Sequence, residues 1–114
     1  MKPLINVVKR DGGFVAIAQD KTNPAGELLA LFLEHDVQES ESSARELMGQ
    51  IRGVRDSSHP KWRRVGNAFI LHVNPDGAEI EMQYPDDSLP PNAQLTLDQL
   101  EDGVERWLNA LSGR

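Results

Sequence analysis

The chain predicts a single α+β domain, an antiparallel β-sheet of two hairpins with one candidate extra strand, packed against two or three helices. Three observations carry this reading. Trp62 to Tyr84 alternates apolar and polar residues on either side of Asn74-Pro75-Asp76-Gly77, four turn formers in a row. Thr96 and Gln99 are spaced as a capping box at the head of an apolar stripe with helical period. A length of 114 residues is that of one domain, able to bury roughly two-thirds of its unfolded surface without staples.

The elements follow in chain order. Leu4–Val8 and Phe14–Ala18 are short apolar runs joined by Lys9-Arg10-Asp11-Gly12-Gly13, whose Asp-Gly pair predicts a hairpin. Asn23-Pro24 has the form of a helix start, with Asn as cap and Pro at the first helical position, within a stretch otherwise read as loop. Gly26–His35 is ambiguous. Its Leu, Ala and Glu favour helix by propensity, yet a short run apolar on both faces also suits a buried strand. From Gln38 or Glu39 to Val54, Ala44, Leu47, Met48, Ile51 and Val54 recur at helical spacing, with acids at the start and Arg52 and Arg55 at the end, the order the helix dipole favours. Ser40 or Ser42 suits the cap, and Pro60 bars continuation.

In the central stretch, Pro75 presets φ for the first turn position and Gly77 supplies a positive φ. The first arm, Val65 through Val73, is apolar on both faces and predicts a central strand. The second exposes Glu79, Glu81 and Gln83 opposite Ala78, Ile80, Met82 and Tyr84, and Pro85 ends it. Pro85–Asn92, with three prolines, predicts an irregular connection. In the last helix Leu97, Leu100, Val104, Trp107, Leu108 and Leu111 form the stripe. Asp98, Glu101, Asp102 and Glu105 point away from it, Leu95 and Leu100 can staple the cap, and Gly103 allows close packing on the sheet.

Composition narrows the function. With no cysteine, disulfides, thiolate metal sites and cysteine nucleophiles are excluded, in keeping with a reducing cytoplasm. No secretory signal pattern is visible at the N-terminus, and the longest apolar block, Leu28–Leu33, is far too short for a bilayer. A soluble, cytoplasmic chain is expected. The net charge of −6 is uneven: residues 74 to 105 hold nine acids and no Lys or Arg, whereas residues 1 to 73 are nearly neutral. That surface disfavours nucleic acid and anionic membrane and favours a basic partner, although a charge of this size also serves plain solubility.

Signals for chemistry are weak. His35, His59 and His72 show no metal-ligand spacing, and Ser57-Ser58-His59 reads as a polar loop rather than a nucleophile with its base. Asp76, Glu79 and Glu81 resemble the acids of a magnesium-dependent nuclease core. The neighbouring positions, Met82 and Gln83, lack the base such a core needs. Trp62, amid Lys61, Arg63 and Arg64, could stack on a base, but reads better as the end of the core, and Trp107 lies squarely on the helical stripe. The expectation is a non-enzyme with no cofactor and no metal.

Trp62-Arg63-Arg64-Val65-Gly66-Asn67, the strand Ala68–Val73, the turn and Gly77–Met82 resemble the immunity proteins of bacterial contact-dependent growth inhibition, as do Phe32–Val37 and the helix after them. A more distant resemblance is to the small YacL-type bacterial proteins; together these stretches cover roughly residues 26 to 84. The resemblance tilts Gly26–His35 toward strand. It implies a protein that neutralises the C-terminal toxin domain, commonly a nuclease, of a secreted effector. On that view the partner is a basic toxin domain met by Glu79, Glu81, Asp86, Asp87, Asp98, Glu101, Asp102 and Glu105, or alternatively by Glu34, Asp36, Glu39 and Glu41. The free chain is expected as a monomer or weak dimer. The basic loop from Arg52 to Arg64 departs from the more acidic YacL-type pattern. A cytoplasmic adaptor or homodimer using the same sheet is the competing reading.

Overall fold

The computed structural model describes residues 1–113 and contains six strands and three α-helices, the expected α+β class. Strands β1 (Ile5–Arg10) and β2 (Gly13–Ala18) form a hairpin that is a separate two-stranded sheet. Its turn is Asp11-Gly12, both at positive φ (51° and 82°), the conformation that matches the twist of the flanking strands. Strands β3 (Trp62–Val65), β4 (Phe69–Asn74), β5 (Gly77–Met82) and β6 (Asn92–Leu95) form an antiparallel meander in that spatial order. The Pro75-Asp76 turn closes β4 onto β5 with Asn74 opposite Gly77, and the Asn74 side chain accepts from the Asp76 amide at 3.0 Å.

Residues 26–35 are helical, against the strand reading. Helix α1 (Pro24–Phe32) starts where Asn23-Pro24 offered a start: Asn23 Oδ1 accepts from the Ala25 amide at 3.0 Å, and Pro24 occupies the first turn. It is apolar nearly all round because it lies inside, between the β1–β2 hairpin, β5 and β6, and α3 (Leu97–Ser112). Burial on two sides was legible, but helix and strand share that signature over a short run. A π-helical turn (Leu33–Val37) then extends α1 and delivers Asp36 to the sheet.

Two further departures concern the sheet. The first arm of the central hairpin is two strands, because the chain reverses at Gly66-Asn67-Ala68 and the Gly66 amide donates to the Phe69 carbonyl at 2.9 Å. The proline-rich connection is irregular up to Pro91, after which Asn92–Leu95 adds the edge strand β6. Its alternation, with Ala93 and Leu95 buried, is too short to stand out in sequence.

Helix α2 (Glu41–Arg55) is capped by Ser40, whose hydroxyl accepts from the Ser43 amide, and buries the five predicted residues Ala44, Leu47, Met48, Ile51 and Val54. In α3 both halves of the Thr96–Gln99 capping box form, at 2.8 and 3.0 Å. Leu100, Val104, Trp107 and Leu111 are buried. Gly103 meets α1 rather than the sheet: a Cβ there comes within 2.6 Å of Leu29 Cδ2. Trp107, wholly buried, donates its indole N–H to the Gln38 carbonyl at 2.7 Å, pinning a residue held at φ 61° where the π turn ends. Phe32 and Phe69 meet edge to face at 6.4 Å, joining the helical layer to the sheet.

Two glycine-to-alanine substitutions separate helix propensity from packing. Gly49 is exposed on α2, and a methyl group at its Cα would have nothing within 4 Å, so Gly49→Ala gains about 0.5–1 kcal/mol and raises Tm. Gly103→Ala lowers Tm in the same thermal melts, because overpacking against Leu29 costs about 1–3 kcal/mol and outweighs that gain.

Candidate functional site

Phe32–Val37 and the stretch from Trp62 to Gln83 meet at a structural junction. Asp36 is buried: its Oδ1 accepts from the Ala68 amide at 2.9 Å and its Oδ2 from the Phe69 amide at 3.0 Å. Arg64 donates to the Asp36 carbonyl at 3.2 Å, stands 4.0 Å from its carboxylate and lies over the Phe32 ring at 5.7 Å. Gln83 closes the far side, its side-chain amide donating to the Gly66 carbonyl and its backbone amide to that of Ala68 at 2.9 Å. A Cβ on Gly66 would fall 2.1 Å from Asp36 Oδ2, so the position demands glycine for close approach.

Asp36 is therefore no surface residue, and the other three acids named with it for the alternative surface are engaged within the molecule. Glu34 accepts from the Ala16 amide at 3.1 Å and Glu39 from the Phe14 amide at 3.2 Å, so both carboxylates take up N–H groups of β2. Glu41 pairs with Arg45, one turn on, at 3.5 Å. Three of the four acids thus brace the hairpin or the β3–β4 turn. Gln83 and Arg64 carried no sequence signal for this role; Gly66-Asn67, a turn-forming dipeptide, did.

The predicted main surface divides in two. On α3, Arg55 of α2 reaches Asp98 at 2.7 Å and Glu101 at 2.9 Å, Arg52 reaches Glu101 at 3.4 Å, and Arg106 reaches Asp102 at 2.8 Å. The hydrogen bond it donates to Asp98 holds the Arg55 guanidinium above its ordinary pKa. These acids line an open groove of about 310 Å³ with Met1, Arg55 and Glu105, but their charge is largely spent within the molecule. Among the described residues only Glu105 of this group lacks an ion pair.

The outward face of the four-stranded sheet is different. Register puts Arg63, His72, Glu79 and Gln94 in one row across it, and Val65, Ile70, Glu81 and Asn92 in the next. None of these eight is buried, whereas Phe69, Leu71, Val73, Ala78, Ile80, Ala93 and Leu95 of the opposite face all are. His72 Nε2 and Glu81 Oε1 lie 3.0 Å apart; Glu79 makes no ion pair among the described residues. Asp86 and Asp87 are exposed beyond β5. Asp86 is turned back on Ser88, accepting from its amide at 2.7 Å and from its hydroxyl, and these bonds hold it below the ordinary carboxylate pKa.

Other chemical candidates resolve into turns. Ser58 donates its hydroxyl to Asp56 at 2.6 Å, and His59 packs over Gly53. Among the described residues no group of three or more His, Asp or Glu side chains could hold a metal ion, and no helix is long and apolar enough to cross a membrane. No protein-family model, curated protein or solved structure matches the chain.

Asp36→Asn tests the junction. An amide offers one acceptor oxygen and turns an NH2 toward the remaining N–H, so unfolding free energy in urea falls by about 1–3 kcal/mol. The three Asp-x-Ser/Thr turns give a pH signature. Asp20, Asp56 and Asp86 are each lowered, first by the hydroxyl and then by the amide two residues on. Because their folded values lie below the unfolded value of about 3.9, the stability they contribute is present above that pH and is lost as pH falls through the folded values. NMR titration gives midpoints below about 3.9 for all three, and Ser88→Ala returns that of Asp86 toward the ordinary value.

Proposed function

We propose that the protein is an immunity-type inhibitor, a binding module without catalysis that captures a basic toxin domain in the cytoplasm on the outward face of its four-stranded sheet. The observation that carries this reading is the pair Glu79 and Glu81, side by side on β5 on a sheet face with no buried residue. Asp76 at one end of the strand, and Asp86 and Asp87 beyond the other, extend the anionic strip over a single stretch of chain without Lys or Arg. A face held by ladder hydrogen bonds loses little freedom on binding, and its concentrated negative charge speeds capture of a basic partner. The resemblance over residues 26 to 84 supports the same class, and the ion pairs of α3 favour the sheet over that helix as the contact surface.

Self-association is the second reading. Val65 and Tyr84, 58% and 76% exposed, put apolar area at one end of the same sheet, as a weak homodimer or an adaptor contact needs.

The deciding experiment is co-purification with the product of the 3′ end of the gene immediately upstream, followed by rescue of its toxicity. In the reconstituted pair, reversing Glu79, Glu81, Asp86 and Asp87 to lysine slows association at least about tenfold and flattens its salt dependence. Unchanged association and salt dependence would place the contact elsewhere.

A further inference from the structure

We propose that the open edge of β1 pairs with the same edge of a second copy of the chain, antiparallel and centred on Val7, so that two hairpins become one four-stranded sheet. The ladder shows which main-chain groups are open. Ile5 stands opposite Ala18, and the Gln19 amide donates to the Leu4 carbonyl at 2.9 Å. By the antiparallel alternation, the residues in step with Leu4 bond to β2, and Ile5, Val7 and Lys9 turn their N–H and C=O groups outward. No hydrogen bond among the described residues reaches those groups.

The other edges are short or covered. On β2 the outward amides of Phe14 and Ala16 are bound by Glu39 and Glu34. β3 and β6 are four residues each, and Pro91 directly precedes β6. β1 has six residues and no such cover. Its sheet has only two strands, with Val8, Val15 and Ile17 half-exposed on the outer face, and a third strand is what such a ribbon lacks.

Register and charge select the chain's own edge as the occupant. Centred on Val7, Ile5 of each copy faces Lys9 of the other and Val7 faces its counterpart, giving about six hydrogen bonds at two per pair. Centring on Asn6 sets Lys9 against Pro3, which has no N–H, and centring on Val8 sets Ile5 against Asp11, whose φ of 51° takes it out of the strand. The antiparallel sense keeps Lys9 and Arg10 of the two copies at opposite ends. It brings Asp11 of each turn toward Lys2 of the other copy, and neither residue is in an ion pair among the described residues. Ile5 is wholly buried, Val7 half-buried and Lys9 exposed, so the helical layer covers the start of β1 and leaves its end clear. Across the two-fold axis the covered end of one copy lies opposite the clear end of the other, which sets the two helical layers apart along the strands. This edge belongs to a different sheet from Glu79, Glu81 and Val65, so the dimer stands independently of toxin capture.

The test is sedimentation equilibrium of the full chain from about 10 µM to about 1 mM, where a monomer–dimer equilibrium with Kd on the order of 0.1 mM is expected. Val7→Pro removes an amide that β2 does not use, and it abolishes the dimer while the chain stays folded by its thermal melt. Val7→Cys tests the same axis without a proline. The chain has no cysteine, so any disulfide is between copies, and paired Cα atoms about 5.5 Å apart suit one. Under mild oxidation Val7→Cys forms the linked dimer at least about tenfold faster than Val15→Cys, whose strand lies away from the axis. A chain that stays monomeric at about 1 mM, a dimer that survives in folded Val7→Pro, or equal cross-linking of the two cysteine variants overturns the proposal.

Discussion

A single buried carboxylate ties the two halves of the fold together. Asp36 arrives on a π-helical turn from the helical layer and accepts the Ala68 and Phe69 amides at the tight reversal that leads into β4. A buried carboxylate stripped of partners is costly; one that accepts two amides beside a guanidinium is held in a single geometry. From this the surroundings follow. Gly66 has no room for a side chain, Arg64 points inward while Arg63 does not, Gln83 seals the turn, and Phe32 and Phe69 are set edge to face.

The same carboxylate fixes how the meander is attached to the helices, since Phe32–Val37, Trp62–Val65 and Gln83 all converge on it. The outward face of the sheet takes no part in that attachment. Glu79 and Glu81 stand on backbone that is hydrogen-bonded on both sides.

Charge counting along the chain and charge pairing in space give different maps. Residues 74 to 105 are uniformly acidic in sequence, but α2 lies against α3, and the arginines that its dipole favours in the last turn fall beside Asp98 and Glu101. Exposed pairs of this kind are worth only about 0–1 kcal/mol each. Their larger effect is to neutralise one helix face, leaving the exposed anionic charge concentrated around β5 and the loop after it. Glu34 and Glu39 are withdrawn in another way, taken up by amides of β2.

Much was determined by the sequence alone, wherever the deciding interaction is local. The Asp11-Gly12 and Pro75-Asp76 turns, the Ser40 and Thr96 caps and the apolar stripes of α2 and α3 all rest on residues within a few positions of one another. Even the start of α1 was legible in Asn23-Pro24; its period was not, because a buried helix and a buried strand are both apolar on every side. What only the tertiary structure decided depends on contacts far apart in the chain. The reversal that ends at Ala68 needs a carboxylate 32 residues away, the neutral face of α3 needs arginines more than 40 residues away, and Gly103 needs Leu29. A sequence records propensities residue by residue, whereas burial and pairing are properties of neighbours that folding alone brings together.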